Sequence, residues 1–141
     1  MTSEVMASMS DARHSEHMLE NVTKASLLIV AAIHLMPVVG FFGTSTLTKL
    51  YGVNIDHPDL EVLMRHRSAL FGILGAIFAY AAFVPAARPL AFAAAATSLL
   101  TFFYLAATVP ETTAAIRKIT WADAIATAAL ATAYLGDRLA P

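Results

Sequence analysis

Residues 25–48 read ASLLIVAAIHLMPVVGFFGTSTLT and contain no aspartate, glutamate, lysine or arginine. Residues 68–87 and residues 89–110 are also free of these four residue types, and residues 119–136 contain one charge, Asp123. A helix needs about 20 predominantly apolar residues to cross the roughly 30 Å hydrocarbon core of a bilayer. The four stretches therefore predict four transmembrane helices and an integral membrane protein.

The composition agrees with this class and excludes several others. The chain is 58% hydrophobic and 13% charged, with a mean hydropathy of +0.67, whereas soluble domains carry roughly 25% charged residues. The net charge of −1 argues against a nucleic-acid partner, which would need a basic face. The absence of cysteine excludes disulfides, thiolate metal sites and cysteine nucleophiles.

The predicted fold is all-α: a single domain, residues 21–136, that forms an antiparallel, up-down four-helix transmembrane bundle. A polar N-terminal tail, residues 1–20, whose first 12 residues we expect to be disordered, precedes the domain, and a short C-terminal tail, residues 137–141, follows it. The predicted helices cover about residues 21–43, 60–83, 90–108 and 113–135. The first apolar stretch is too long, and the residues before it too acidic, for a cleaved signal peptide, so we expect it to be retained. Lysine and arginine are spread too evenly between the two sides to predict the orientation.

Ionisable residues within the predicted spans are candidate functional residues, because they are costly in a membrane and usually face the bundle interior. Three stand out: His34 in helix 1, Arg65 near the start of helix 2, and Asp123 near the start of helix 4. With a rise of 1.5 Å per residue, Arg65, Asp123 and Tyr104 fall at a similar depth. Thr101, Thr127 and His34 lie about one turn deeper. The sequence thus predicts a polar cluster in one half of the bundle.

The candidate ligand-binding residues are His34, Arg65, His66, Tyr104, Asp123, Thr101 and Thr127, and the candidate acid–base residues are His34 and Asp123. Each has a structural alternative. Arg65 and Asp123 either form an interhelical salt bridge or clamp an anionic head group. His34 either hydrogen-bonds a neighbouring threonine or tyrosine or contacts a ligand. Tyr104 and the threonines are typical of hydrogen bonds between helices.

Neither a metal nor a cofactor is predicted. Haem would need paired histidines at matching depths on opposed faces, whereas His34 and His66 differ by about a turn and His66 is not clearly interior. His14 and His17 lie three residues apart in the polar tail, where a solvated face is the simpler interpretation. Arg67 shares a stripe with Phe71 and is expected to face lipid and snorkel to the head groups.

Several segments resemble those of a family of small bacterial four-helix membrane proteins of unestablished function. They are IHLMPVVG (33–40), LYGV (50–53), LMRHRSALFG (63–72), AAIRK (114–118) and AD (122–123). More broadly, the architecture resembles that of DoxX-like proteins. Members of the family often carry the label phosphopantetheine adenylyltransferase. We reject this label, because the soluble enzyme has a Rossmann-like fold and a Thr-x-Gly-x-x-His motif that this chain lacks. The resemblance implies a fold and a bacterial inner-membrane location, and no chemistry.

Three functions remain open from the sequence. The favoured one is binding of a lipophilic molecule with a polar head, such as a quinone, a lipid or an isoprenoid. The second is an enzyme that acts on such a molecule by acid–base chemistry. The third is a structural or accessory subunit that forms homo-oligomers or joins a larger membrane complex.

Overall fold

The computed structural model describes residues 3–139, and this part of the chain consists of helices joined by short connections, without strands. The predicted all-α class is confirmed. The α-helices are α1 (Ser3–Leu35), α2 (Thr44–Tyr51), α3 (Pro58–Phe83), α4 (Arg88–Thr108) and α5 (Ala114–Leu139). Two 3₁₀ segments, Met36–Phe42 and Pro85–Ala87, follow α1 and α3.

Three segments are long and apolar enough to cross a membrane: Met6–Phe42, Pro58–Phe83 and Pro85–Thr108. The chain therefore has the character of a membrane protein. Helix α5 is not among the three, although it has 26 residues. Its apolar stretch, residues 119–136, contains Asp123 and three threonines, which lower its hydropathy.

Helix α1 begins at Ser3, much earlier than the predicted start near residue 21. The expectation of disorder over the first 12 residues is therefore wrong for residues 3–12. Residues 1–36 contain neither glycine nor proline, so nothing in this segment interrupts a helix once it has formed. The helix ends just before Pro37, which cannot donate a backbone hydrogen bond. Its 33 residues span about 50 Å, which is longer than the bilayer core.

The long helices pack through small side chains. Helix α1 contacts α3 and α5, and α4 contacts the same two helices. An added Cβ at Gly75 of α3 would lie 2.6 Å from the Leu35 side chain, so the two backbones approach as closely as glycine allows. The buried core between the helices consists of Leu27, Val30, Ala31, Phe78, Ala81, Ala82, Ala91, Phe92, Ala95 and Ala133.

A buried arginine joins the helices at one end of the molecule. Arg88, 3% exposed, donates from Nη2 to Glu20 Oε1 at 2.7 Å and from Nη1 to Asp137 Oδ1 at 2.9 Å. Its Nε donates to the Ala81 carbonyl at 3.4 Å. This network connects α1, α5 and the end of α3 to the first residue of α4. Glu20 and Asp137 were assigned to polar tails by the sequence analysis, but both belong to helices.

The opposite end of the molecule is covered by the short helix α2. Its Leu47 and Tyr51 form a second buried cluster with Ile55, against which Met64 of α3 and Ile119 of α5 pack. Thr113 Oγ1, just before α5, donates to the Tyr51 carbonyl at 3.3 Å. The end of α1 and the starts of α3 and α5 therefore meet beneath α2.

Candidate functional site

A cavity of about 210 Å³ lies beneath α2, between the end of α1, the first turns of α3 and the start of α5. Much of its wall is apolar, with Phe71 and Ile119 among the lining residues. Six polar or charged side chains also line it: His34, Lys49, Tyr51, Arg67, Lys118 and Asp123. The combination of apolar walls and a few convergent polar groups is typical of a small-molecule site.

His34 stands at the inner side of this cavity and is 2% exposed. Its Nδ1 lies 2.9 Å from the Val30 carbonyl, which can only accept, so Nδ1 carries the hydrogen. Nε2 is then the acceptor for the Ser98 hydroxyl of α4 at 3.4 Å. The predicted bond to a neighbouring hydroxyl exists, but with a serine rather than a threonine or tyrosine.

The aromatic contacts of His34 hold the ring in this orientation. Phe71 stacks on the imidazole with a centroid distance of 5.6 Å, and Phe78 packs edge-on at 4.8 Å. Both ring nitrogens have partners, so a proton-transfer role for His34 would require the Ser98 hydroxyl to be displaced. The geometry favours a positioning and packing role for this histidine.

Tyr51 is 4% exposed, and among the described residues its hydroxyl has no hydrogen-bond partner. Leaving a buried polar group unsatisfied costs about 1–3 kcal/mol. Burial raises the pKa of Tyr51, and the Arg67 charge opposes this effect. Because an ordinary tyrosine pKa is already near 10, the hydroxyl remains protonated at neutral pH and offers a hydrogen-bond donor.

Arg67 was missed as a site residue, and the prediction that it faces lipid is wrong. Its guanidinium carbon lies 5.1 Å from the centroid of the Tyr51 ring and 4.9 Å from that of Phe71. The stripe that contains Arg67, Phe71 and Phe78 faces inward, since Phe78 is completely buried. Lipid tails and protein interiors are equally apolar, so an apolar stripe does not reveal which of the two it faces.

The salt bridge between Arg65 and Asp123, one of the two alternatives for this pair, does not form in the described part of the chain. Arg65 pairs with Glu61 one turn earlier on its own helix at 3.0 Å, and donates to the Phe41 carbonyl at 2.8 Å. At 100° per residue, Arg65 and Arg67 point about 200° apart around α3. Only one of them can face α5, and it is Arg67 that lines the cavity with the half-buried Asp123.

The predicted polar cluster forms only in part. His34 and Asp123 line the cavity, whereas His66 and Thr127 are exposed and Tyr104 is 67% exposed. The Thr127 hydroxyl donates to the Asp123 carbonyl of its own helix at 2.8 Å. Because threonine can satisfy itself in this way, a threonine within a span need not face another helix. The ligand-binding roles assigned from sequence stay predictions.

A second depression, a groove of about 600 Å³, runs between α3 and α4. It shares Arg67 and Phe71 with the cavity, and its other lining residues are mostly apolar or small. Ser98, the partner of His34, lies in its wall, as does Thr101. The remaining lining residues are Leu74, Leu90, Ala93, Ala94, Thr97, Phe102 and Leu105.

Within residues 3–139, no group of three or more histidine, aspartate, glutamate or cysteine residues is arranged to hold a metal ion. His66 is exposed while His34 is buried, so the two do not present an axial pair to a haem. His14 and His17 are exposed on the N-terminal part of α1. The expectation that the chain binds neither a metal nor a cofactor stays a prediction.

No protein-family model, curated protein or solved structure matches this chain. The resemblance to small bacterial four-helix membrane proteins therefore stays a prediction. What the cavity can bind follows from its own residues.

Proposed function

We propose that the four long helices form an antiparallel transmembrane bundle in a bacterial inner membrane. Helix α5 is about 39 Å long, which exceeds the bilayer core. The one charge in its apolar stretch, Asp123, lines the cavity. The Arg88 network supports the alternating directions of the helices, because it joins the start of α4 to the ends of α3 and α5. The bacterial location rests on the resemblance alone.

The protein's function in this proposal is to bind a lipophilic molecule with a polar head, such as a quinone, a lipid or an isoprenoid. The observation that carries the proposal is the Tyr51 side chain, which lines the largely apolar cavity, lies under the Arg67 guanidinium and has a buried hydroxyl without a hydrogen-bond partner among the described residues. Buried polar groups in folded proteins nearly always have partners. A ligand atom would supply the one that Tyr51 lacks.

The size of the cavity suits a head group rather than a whole lipid. Pockets that enclose drug-sized ligands measure about 300–1,000 Å³, and this one measures about 210 Å³. The remainder of a lipophilic ligand would lie outside it, against helix surfaces that are strongly apolar. A head-group site of this kind needs the bilayer to accommodate the rest of the molecule.

An enzymatic function is the second candidate, and the observation that favours it is the position of Asp123. This carboxylate lines the cavity and forms no ion pair within 4 Å inside the described region. A carboxyl group in such a site is a candidate general acid or base. If the protein is an enzyme, Asp123 alone would transfer the proton, because both ring nitrogens of His34 are hydrogen-bonded, to Val30 and to Ser98.

The proposal is tested by native mass spectrometry and lipid extraction of the detergent-purified protein, with an absorption spectrum recorded in parallel. We expect a co-purifying lipophilic molecule at about one per chain, with reduced occupancy in Tyr51→Phe and Arg67→Gln. The matched control is Arg117→Gln, which removes the same charge from an exposed position on α5. A protein free of lipophile at a defined oligomeric mass would contradict the proposal and favour an accessory subunit.

The same extraction separates binding from catalysis. If the protein is an enzyme, Asp123→Asn should retain the ligand site but change the chemical identity of the extracted molecule, because substrate accumulates instead of product. If the protein only binds, the wild type and Asp123→Asn should yield the same molecule.

A further inference from the structure

We infer that the ligand is an anionic amphiphile with a single hydrocarbon chain. Its carboxylate or phosphate head would occupy the cavity against Arg67 and Tyr51, and its chain would lie in the groove between α3 and α4. This inference rests on the proposed binding function and specifies the chemical class of the ligand.

The charges of the cavity favour an anion. Three cationic side chains line it, Lys49, Arg67 and Lys118, against one carboxylate, Asp123. In the described part of the chain, none of these four groups forms an ion pair within 4 Å. The lining therefore carries more positive than negative side chains, and within the described region none of them is held in a close ion pair. An anionic head group would complement it.

Arg67 and Tyr51 are the two groups best placed to hold that head. Arg67 stacks over the Tyr51 ring, and among residues 3–139 its guanidinium donates no hydrogen bond to a protein acceptor. A guanidinium has five N–H donors and no acceptor, and its geometry matches carboxylates and phosphates. Tyr51 also lines the cavity, and its buried hydroxyl is a donor without a partner among the described residues. An anionic oxygen is the strongest acceptor for donors of this kind.

The groove supplies a place for the chain. It begins at Arg67 and Phe71, the two residues that it shares with the cavity. Along α4 it extends from Leu90 to Leu105, which is about 22 Å at 1.5 Å per residue. That length covers roughly three quarters of the 30 Å hydrocarbon core. Leu90 and Leu105 are 69% and 50% exposed, so a chain can enter the groove sideways from the bilayer.

The head-group part of the inference is tested by binding measurements on the intact protein in nanodiscs of uncharged phosphatidylcholine. The probes are palmitate, hexadecyl phosphate and hexadecanol, which share one chain and differ in the head. We expect both anions to bind at least tenfold more tightly than hexadecanol. The stronger of the two anions indicates whether the head is a carboxylate or a phosphate. Inorganic phosphate, which has no chain, should not compete.

Two variants place the anion at the predicted residues. Tyr51→Phe removes only the hydroxyl and preserves the ring, and Arg67→Gln removes the charge. Each should reduce the preference for palmitate over hexadecanol about tenfold, whereas Arg117→Gln should leave it unchanged. An anion preference that survives both cavity variants would overturn the assignment.

The groove is tested by chain length. Wild-type protein should bind palmitate much more tightly than octanoate. Ala94→Leu fills the groove wall and should abolish most of this difference while octanoate binding persists. Ala107→Leu adds the same group at an exposed position of α4 outside the groove and serves as the matched control. An unchanged chain-length preference in Ala94→Leu would overturn the groove assignment.

The outcomes also separate this inference from the function on which it rests. Equal binding of palmitate and hexadecanol would overturn the anionic head while leaving a lipophile-binding protein. Binding of none of the probes, together with the absence of a co-purifying lipophile, would contradict both.

Discussion

Replacing Arg88 by alanine tests how the helices are held together at the end opposite the cavity. Arg88 is 3% exposed and forms charge-assisted hydrogen bonds to Glu20 of α1 and Asp137 of α5. Glu20 also pairs with Lys24 at 3.3 Å. The substitution removes the guanidinium that bridges the two carboxylates. Glu20 and Asp137 then lose their shared partner.

The expected loss follows from the burial of the three groups. Breaking a buried ion pair by removing one partner costs about 3–5 kcal/mol. The Glu20 and Asp137 side chains are 30% and 26% exposed, so each can regain part of its hydration once the arginine is gone. We therefore expect the lower end of the range, about 3 kcal/mol. For a chain of this size that corresponds to a fall of roughly 10 °C in Tm.

The assay is thermal unfolding of the detergent-solubilised protein followed by circular dichroism. Arg88→Lys keeps the charge but cannot bridge both carboxylates with a planar fork, so it should lose about half as much stability. The control is Arg138→Ala, an exposed arginine at the same end whose guanidinium lies over the Tyr134 ring at 5.2 Å. It should cost less than about 1 kcal/mol. An Arg88→Ala protein no less stable than Arg138→Ala would refute the reasoning.

Three further substitutions have definite expectations in the same unfolding assay. Gly75→Ala should cost about 1–3 kcal/mol, because its Cβ would lie 2.6 Å from the Leu35 side chain. The control Gly43→Ala should not change the stability, because no atom lies within 4 Å of the added Cβ. Equal effects of the two substitutions would contradict the close packing at Gly75. His34→Ala should cost about 2–4 kcal/mol, since His34 is 2% exposed and its ring packs against Phe71 and Phe78. An unchanged Tm would contradict its packing role. Tyr51→Phe should raise the stability of the ligand-free protein by about 1 kcal/mol, because it removes a buried hydroxyl that has no partner; a loss of stability would indicate a partner for that hydroxyl.

His34→Ala is a poor probe of ligand binding, because His34 is buried among other side chains. The structure places its ring between Phe71, Phe78 and Ser98. Its loss would disturb the packing of three helices as well as the cavity. Tyr51→Phe and Arg67→Gln are therefore the more informative variants.

The helical content and the apolar segments followed from sequence, because both depend on local properties. A run of uncharged apolar residues of sufficient length can satisfy its backbone within a membrane only as a helix or a closed barrel. The positions of Pro37 and of the loop at residues 84–87 then limit where the helices end. The interior positions of His34 and Asp123 were also predicted, since ionisable residues in a span avoid lipid.

The sides of the helices on which Arg67 and Tyr104 lie did not follow from sequence. In a soluble protein, water distinguishes the two faces of a helix, but in a membrane both faces can be apolar. The stripe through Arg67 and Phe71 was therefore assigned to lipid, and Tyr104 to the interior, whereas the structure has the reverse. For each of these residues the helix itself was predicted, but the rotation of the helix about its own axis was not.

That this chain is helical and apolar enough for a membrane follows from its sequence alone, because those properties are summed over each segment separately. Which charges meet depends on the packing of the helices. Arg88 joins Glu20 and Asp137 across 68 and 49 residues of sequence, and Arg67 meets Tyr51 from a different helix. Such pairings depend on the relative rotation and depth of packed helices, and small residues such as Gly75 set these by allowing the helices to approach. The cavity is a property of that packing.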